Sequence, residues 1–573
     1  MRSLTVIFSC LILLPSLTVA GTVTLEIRHL WEGKEITIPT EAIETAAGEH
    51  IDISRLAYLL SEPTLLSKTR QTRIARKNWF AYVDGGNAVS RLVLDGVPED
   101  SYGGLQIYIG LDEATDLADP NQYPAMHPLN PLVNNLHWSP QGGYIYIAME
   151  GHAQGDLGFS YHLGNPRNRV TCEIPLEFEM ADSTTISLDF HLDRIFNADE
   201  PFKTREQTST HSREGDPVAK ILKERLAGVF SLRSIQQSEH ETKPATSITR
   251  NTVGTPYSFK LKKGFPIPAL PLDFPLTNER VELGRRLFHD ARLSRTGNVS
   301  CASCHQAEHA FSDPIRFSSG VDKKEGTRNS MSLVNLAWKE SFFWDGRAAS
   351  LREQALMPIQ DHLEMDESLE NVVKKLSSES EYLELFRTAY GDSSLSAERI
   401  GIAIEQFLLT LTSYDSKFDR DAKGEGSLTE QELKGLELFM TEFDPRRGFH
   451  GADCFHCHSG PFFSNHRFHN NGLKVDIDKG LEAVTGKETD RGKFVTPSLR
   501  NVALTAPYMH DGRFATLEEV VEHYCTEIER SPTLDPNLAK HPLGGISLSK
   551  DDKSALVAFL QTLTDEQFTQ TTP

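Results

Sequence analysis

Two copies of the motif Cys-x-x-Cys-His constrain this chain more than any other feature. The first begins at Cys301 and the second at Cys454. In such a motif two thiols add to the vinyl groups of one haem, and the adjacent imidazole coordinates the iron. A lone Cys-x-x-Cys also suits a redox pair or half of a zinc site, but the repeated histidine argues against both. The sequence therefore predicts two covalently bound haem c groups, held by Cys301, Cys304, His305, Cys454, Cys457 and His458.

Length and charge set further limits. A chain of 573 residues is too long for one hydrophobic core, so several domains are expected. Its formal net charge of -21 argues against nucleic acid and anionic membranes as partners. That charge suits a cationic protein partner or serves solubility alone.

The first 20 residues have the pattern of a secretory signal peptide. Arg2 precedes an apolar run over 4–14, and small residues at 18–20 form a cleavage site. The run is too short for a stable membrane-spanning helix, and no later stretch is long and apolar enough. We therefore predict an exported periplasmic protein without a membrane span, in the compartment where haem c is attached. Cys10 would be lost with the signal peptide.

Hydrophobic periodicity predicts a β-rich domain over residues 21–235. Apolar and polar residues alternate at 22–27 and at 185–190, with turn-forming residues between such runs. The pattern favours an N-terminal antiparallel β-sandwich-like domain, with one amphipathic helix near 217–230. A Ser/Thr/Lys-rich and then Pro-rich linker follows, over 236–271.

From residue 272 onward the pattern becomes helical and repeats. A helix is predicted after Thr277, ahead of the first haem motif. A second is predicted after Thr429, with Glu432 in the capping-box position, ahead of the second motif. We predict two mainly α cytochrome-c-like domains, 272–425 and 426–573, with a last helix over 550–563.

The two irons are expected to differ in their second axial ligand. Downstream of His305, His309 is too close in sequence to reach the opposite face of the haem, and 311–330 contains no Met or His. Met331 follows a segment that looks structural. The first iron is therefore predicted to be five-coordinate, with an open face suited to peroxide.

Several separate strings resemble the bacterial di-haem cytochrome c peroxidase and MauG superfamily over residues 272–565. They lie at 343–347, 496–502 and 505–512, together with Gln354 and Glu364. The resemblance implies that hydrogen peroxide is the oxidant and that Gln354 and Glu364 line its site, where a carboxylate can move protons. It also implies that Trp344 relays electrons between the haems. A calcium site between the domains is implied at Asn329, Thr505 and Pro507.

The same resemblance implies that Tyr524 is the second ligand of the second haem. Cytochrome c peroxidases of this superfamily carry Met in that role, whereas MauG-like enzymes carry Tyr. A phenolate oxygen favours the oxidised metal, so such a haem would have a low potential. The alternative is that Tyr524 packs a helix and a nearby histidine is the ligand: His466, His469 or His523.

The front domain resembles the MbnP family, the copper-associated partners of MauG-like enzymes called MbnH. The matching strings lie at 136–138, 143–144, 149–151 and 161–164. The resemblance implies oxidation of a front-domain tryptophan to kynurenine and a copper site made of histidines. His29 and Trp31 would share one face of a strand. Candidate copper ligands are His29, His137, His162 and His211, and candidate tryptophans are Trp31 and Trp138. Each of them is also explained as an ordinary core or loop residue.

Our hypothesis is a periplasmic di-haem peroxidase that uses hydrogen peroxide to oxidise a tryptophan in its own or a neighbouring MbnP-like domain, linked to copper binding. One alternative is a cytochrome c peroxidase that takes electrons from a small donor protein. Another is a non-enzymatic copper-binding electron-transfer protein. Cys172 and Cys525 remain either as a disulfide or as two free thiols.

Overall fold

The computed structural model describes residues 20–138, 142–154, 156–238, 253–260, 262, 264–445, 448–474, 478–542 and 544–569. The predicted signal peptide, apart from Ala20, lies outside the described residues. So does the central part of the predicted linker, 239–252.

The front domain is built from two stacked sheets. Its strands are β1 (Ala20–Trp31), β2 (Lys34–Glu35), β3 (Ile43–Glu44), β4 (His50–Ser67), β5 (Arg73–Ala75), β6 (Phe80–Asp84), β7 (Ser90–Pro98), β8 (Ser101–Ile109), β9 (Ile145–Ala153), β10 (Leu157–Gly164), β11 (Val170–Glu179), β12 (Ser183–His191), β13 (Ser209–Thr210) and β14 (Phe230–Ser238). One sheet has the order β14-β12-β1-β2, with β7 also paired to β1, and the other has the order β11-β8-β4-β9-β10-β13. Strands β3, β5 and β6 pair with β4.

The alternation read from the sequence explains why these strands form a sandwich. Val23, Leu25 and Ile27 of β1 are fully buried and pack in one apolar cluster with Ile53 and Ile107 of the opposite sheet. The predicted sandwich is confirmed, with one departure from a purely antiparallel arrangement. β1 runs parallel to β12, and β10 runs parallel to β13.

The segment near 217–230 differs from its prediction. Four short helices belong to this domain: α1 (Glu113–Asp116), α2 (Pro131–Asn134), α3 (Asp193–Phe196) and α4 (Pro217–Leu226). The predicted amphipathic helix is α4, which begins after the N-cap Asp216 and ends four residues earlier than expected. The chain then enters β14, which pairs with β12 and runs past the predicted domain boundary at 235. Packing against the sheet therefore overrides helical periodicity here.

The second half of the chain is helical, as predicted. Its helices are α5 (Asn278–Phe288), α6 (Cys301–Cys304), α7 (Leu351–Gln360), α8 (Leu369–Ser377), α9 (Ser380–Tyr390), α10 (Ala397–Leu409), α11 (Lys417–Ala422), α12 (Glu430–Phe439), α13 (Glu482–Thr485), α14 (Leu517–Thr526), α15 (Pro536–Ala539) and α16 (Lys550–Gln561). Strands β15 (Phe468–His469) and β16 (Phe494–Val495) form a short hairpin-like pair. The capping box of Thr429 and Glu432 is present at the start of α12. In both repeats a glycine permits close helix packing: Gly284 of α5 against Ala403, and Gly435 of α12 against Ala555.

The front domain packs directly on the second haem domain. Helix α15 lies against β9 and β10. Gly158 makes this possible, because a Cβ at that position would lie 2.0 Å from the carbonyl oxygen of Pro536. His152 Nε2 lies 2.7 Å from the carbonyl oxygen of Leu534. The two halves therefore share an interface next to the second haem motif.

Two further sequence questions are answered within the described residues. Cys172 is buried in the front domain and Cys525 lies on α14, and both are free thiols. In the part of the chain that the structure describes, every helix is too short or too polar to cross a bilayer.

Candidate functional site

The first haem motif forms α6 and the residue that follows it. His305 Nδ1 lies 2.9 Å from the carbonyl oxygen of Phe311 and donates to it. That hydrogen bond leaves Nε2 as the nitrogen available to iron. The backbone of Met331 also contacts this imidazole. His309 Nδ1 instead approaches the carbonyl oxygen of Leu504 at 3.3 Å.

Glu364 follows α7 and lies close to the first motif. Burial first, and then the neighbouring charge of Asp361, raises the pKa of Glu364 to about 7, against an opposing effect of Arg347. After burial, the charge of Glu364 contributes to the raised pKa of both Cys301 and Cys304. The carboxylate is thus near the thiols, half-buried and able to change protonation near neutral pH. Gln354 is half-buried on α7, the helix that precedes Glu364.

The second motif lines a large apolar cavity. His458 Nδ1 donates to the carbonyl oxygen of Phe463 at 2.9 Å, which repeats the geometry of the first motif. Cys454, Cys457 and Tyr524 line the same cavity. Burial raises the pKa of Tyr524, and the charges of the two thiols add to that increase. Tyr524 therefore faces the haem-binding residues.

Two of the three alternative ligands for the second iron, His466 and His469, line this cavity, and the third, His523, lies beside Tyr524. His469 Nδ1 is 2.5 Å from Asp535 Oδ2, and His523 Nε2 is 3.0 Å from the carbonyl oxygen of Asn471. His466 lines the cavity, and its Nε2 has no hydrogen-bond partner among the described residues. Asn471 Nδ2 donates to the Tyr524 hydroxyl at 3.3 Å.

Trp344 and the predicted calcium residues meet at the boundary between the two haem domains. Trp344 Nε1 donates to the carbonyl oxygen of Asn329 at 2.9 Å. The backbone N–H of Asn329 donates to the carbonyl oxygen of His510 at 2.8 Å. Trp344, Asn329, Thr505 and Pro507 all line the cavity that contains the second motif. The structure thus brings these four residues together.

The front-domain candidates separate into two groups. His29 lies in the core, 3.1 Å from the Tyr58 hydroxyl and beside Phe190. Trp31 is 7% exposed and packs against Phe196. His137 is buried edge-on against Tyr144. These three residues therefore lie in the interior of the front domain.

Trp138 instead borders a cavity of about 350 Å³ between the domains. Its ring lies against Gly164 of β10, where an added Cβ would come within 2.8 Å of the indole. The opposite wall is formed by Met440, Glu442 and Phe455 of the second haem domain. Phe455 is the second residue of the haem motif, so the indole is near the haem-binding segment.

His211 lines this cavity, and His162 lies beside His211. The parallel pairing of β10 with β13 brings them together, with ring centroids 5.2 Å apart. His456 approaches both from the second haem motif, at 5.5 and 5.0 Å between ring centroids. Sequence reasoning missed His456, because it occupies a variable position of the motif. Its unusual residue type at that position was the only available signal.

The residues fit two haem c groups. Each motif joins two partly buried thiols to an imidazole whose Nδ1 is fixed by a carbonyl, and Tyr524 lines the cavity of the second motif. When bound, haem c supplies redox-active iron for reaction with peroxide. Electrostatics, orientation and proton transfer then come from the surrounding chain.

Comparison with known proteins gives two family matches. The protein-family model described as di-haem cytochrome c peroxidase matches residues 278–427. The protein-family model described as MbnP matches residues 20–212. The recognition of both parts of the chain is therefore confirmed.

Individual relatives agree with the first match. The methylamine utilization protein MauG of Methylophilus methylotrophus is 35% identical over 306 residues, covering 53% of this chain and 88% of the relative. The cytochrome c551 peroxidase of Nitrosomonas europaea is 36% identical over 312 residues, covering 53% of this chain and 85% of the relative. A solved MauG-like protein associated with microbial copper homeostasis is 35% identical, with 55% and 97% of the two chains covered and a TM-score of 0.48.

Proposed function

The chain belongs to the di-haem cytochrome c peroxidase family, whose members are oxidoreductases, and on that premise we propose that it uses hydrogen peroxide to oxidise Trp138 of its own MbnP-like domain to kynurenine. The observation that carries this proposal is the position of Trp138. It borders a cavity whose opposite wall includes Phe455 of the second haem motif. Trp31, by contrast, is enclosed by the front-domain core.

Proton handling at the first haem is assigned to Glu364. As a carboxylate it accepts a proton from peroxide, and as a carboxylic acid it returns that proton to the departing oxygen. A pKa of about 7 makes both forms accessible near neutral pH. Gln354 would orient peroxide by hydrogen bonding. Trp344, on the wall between the two motifs, would carry electrons between the domains.

The chemistry balances with hydrogen peroxide as the sole oxidant. Conversion of the indole to N-formylkynurenine removes four electrons and adds two oxygen atoms, so two peroxide molecules are consumed and two waters are released. Hydrolysis then releases formate and leaves kynurenine. The residue gains one oxygen and loses one carbon in total. Phe455 and its neighbours supply the path along which Trp138 gives up its electrons.

Mass spectrometry of the front domain tests this function. The full-length protein, matured in a haem-attaching host, would be treated with peroxide and digested. We expect the kynurenine mass change on the peptide containing Trp138 and no such change in the Glu364→Gln variant. Trp31→Phe serves as the control and should leave the modification intact. An unmodified Trp138 in a protein that consumes peroxide would refute the proposal.

A second candidate is reduction of hydrogen peroxide with electrons from a small donor protein. The 36% identity to a cytochrome c551 peroxidase favours it. It predicts steady-state oxidation of a reduced cytochrome donor that continues unchanged in Trp138→Phe. The steady-state assay and the mass spectrometry together therefore separate the two activities.

Calcium is proposed at the boundary between the haem domains, with Asn329, Thr505 and Pro507 as its contacts. Support comes from the cavity that all three residues line together with Trp344, and from the hydrogen bond between Trp344 and Asn329. Removal of calcium by a chelator should lower peroxide turnover, and added calcium should restore it.

Copper is proposed in the front domain through His162 and His211, the two candidate histidines that lie side by side. His29 and His137 do not belong to the group that His162 and His211 form. The protein is further proposed to be exported to the periplasm. N-terminal sequencing of the mature protein from its native host would show whether the predicted signal peptide is removed.

A further inference from the structure

Three imidazoles from both halves of the chain converge at the domain interface. One ring nitrogen of each of His162, His211 and His456 lies within 4.8 Å of a ring nitrogen of the other two. Their side chains are only 4%, 9% and 2% exposed. Three donors at this separation can close around one metal ion after small side-chain rotations.

A carboxylate lies beside one ring nitrogen of each of two histidines. His162 Nε2 lies 2.9 Å from Glu150 Oε1, and His211 Nδ1 lies 2.9 Å from Glu442 Oε2. Among the described residues, His162 Nδ1 and both ring nitrogens of His211 are buried without a hydrogen bond of good geometry. A carboxylate behind each imidazole is the usual arrangement around a metal-binding histidine. A buried nitrogen without a partner costs free energy, and a metal ion would remove that cost.

The charges around the three histidines leave room for a cation. Glu150 pairs with Arg55, and Glu442 pairs with Lys540 at 3.0 Å. Lys540 Nζ also lies 3.3 Å from His456 Nε2 and 3.3 Å from Asp453 Oδ2. Its two carboxylate partners can retain the ammonium group when His456 turns toward a metal ion.

The donor set favours copper over other metals. The nearby thiols of Cys454 and Cys457 are used for haem attachment, so imidazole nitrogen is the main ligand type. Imidazole sites bind copper more tightly than the other divalent first-row metals. We propose that His456, inside the second haem motif, is the third ligand of a copper ion held by His162 and His211. This inference rests on the proposed function only for the assignment of copper to the front domain.

A consequence concerns the second haem. His456 directly precedes Cys457, the second haem-attaching cysteine of this motif. A metal ligand and a haem thioether would therefore be adjacent residues. Change in the oxidation state of copper should alter the spectroscopic signature of the second haem.

Ligand counting in the unsubstituted protein is the primary test. Full-length protein with both haems would be labelled with ¹⁵N at histidine, given one equivalent of copper(II) sulfate and passed through a desalting column. We expect one retained copper per chain, with pulsed EPR couplings to three histidine nitrogens. Two histidine couplings would overturn the proposal, including the case in which a group derived from Trp138 completes the site.

His456→Gln gives the second test, and His450→Gln is its matched control. His450 is an exposed histidine of the same domain, shortly before the motif. We expect His456→Gln to weaken copper retention by at least about tenfold, the size of effect known even for outer-shell partners. His450→Gln should match the parent. Haem content of two per chain would establish that each variant is folded.

The outcomes also separate this inference from the proposed function. Copper retained as tightly in His456→Gln as in the parent would refute ligation by His456 and leave copper in the front domain intact. Copper lost from the parent itself would refute both copper assignments. Kynurenine at Trp138 is measured by mass and is decided independently of either result.

Discussion

At the scale of single residues, the two haem motifs share one hydrogen bond and differ in the side chains around them. His305 and His458 each donate Nδ1 to a backbone carbonyl at 2.9 Å. Near the first motif stands Glu364, a carboxyl group whose pKa burial raises to about 7. Near the second stands Tyr524, whose pKa burial also raises. The asymmetry that matters for chemistry is therefore carried by two side chains.

Replacement of Glu364 by Gln should lower the rate of reaction with peroxide by about 10²- to 10⁴-fold, the usual contribution of a positioned acid–base group. In the parent the carboxylate form accumulates as pH rises through about 7, so the rate should rise over that range. Stopped-flow spectra of the haems measure both effects. Glu370→Gln, an exposed position on α8, is the control and should change neither.

Asp361 gives an independent check on the origin of that pH dependence. Its negative charge is the second cause of the raised pKa of Glu364. Asp361→Asn should move the midpoint of the pH–rate profile to lower pH while leaving the maximal rate similar. A midpoint that does not move would mean that another group controls the profile.

Tyr524→Met should raise the reduction potential of the second haem, because a thioether favours reduced iron and a phenolate favours oxidised iron. Tyr508→Phe is a suitable control. Tyr508 lines the same cavity but donates its hydroxyl hydrogen bond to the carbonyl of Val502. Potentiometric titration of both haems measures the effect. An unchanged potential in Tyr524→Met would assign the ligand to another residue, such as His466.

At the scale of elements, the sequence predicted those features that depend on residues close together in the chain. The capping box at Thr429 and the alternation along β1 appear in the structure, because each depends on residues a few positions apart. The helix predicted near 217–230 ends at Leu226, and strand β14 then runs into the predicted linker. The sequence pattern did not indicate this strand, since its pairing partner β12 is remote in sequence. His456 was missed for the same reason. Its neighbours His162, on β10, and His211, directly after β13, belong to another domain.

The contact between β10 and α15 depends on Gly158. Gly158→Val would place side-chain atoms on the carbonyl of Pro536, so the two elements should separate. We expect at least about tenfold less kynurenine at Trp138, because reactivity at a distance depends on positioning. Peroxide consumption with an artificial reductant should persist. Gly228→Ala is the control, since its nearest contact would be 3.9 Å away.

At the scale of the whole molecule, the interface between the halves contains a titratable group. His152 sits between Asp52 at 3.2 Å and the carbonyl oxygen of Leu534 at 2.7 Å. Burial lowers the pKa of His152, but Asp52, Leu534 and Asp535 outweigh it, and the net pKa is raised. A folded-state pKa above the unfolded value stabilises the protein fully below about pH 6.5. That contribution is lost as pH rises through the folded pKa.

The His152→Gln variant should therefore differ from the parent most in mildly acidic solution. Thermal unfolding followed from acidic to alkaline pH measures this. The difference in Tm should shrink as pH rises. Burial lowers the pKa of His191, a half-buried front-domain histidine bonded to Ser231, so His191→Gln should show no loss of stability in acid. A constant difference in Tm across the pH range would show that the charged form of His152 does not stabilise the interface.

The position of Trp138 against the second haem domain also has a kinetic consequence. The chain between Ser238 and Val253 joins the two halves covalently, so the local concentration of the indole is independent of how much protein is present. Its oxidation within one chain would be first order and insensitive to dilution. Each molecule would mature once and consume a fixed number of peroxide molecules. Toward its own front domain the protein would thus behave as a single-turnover reagent.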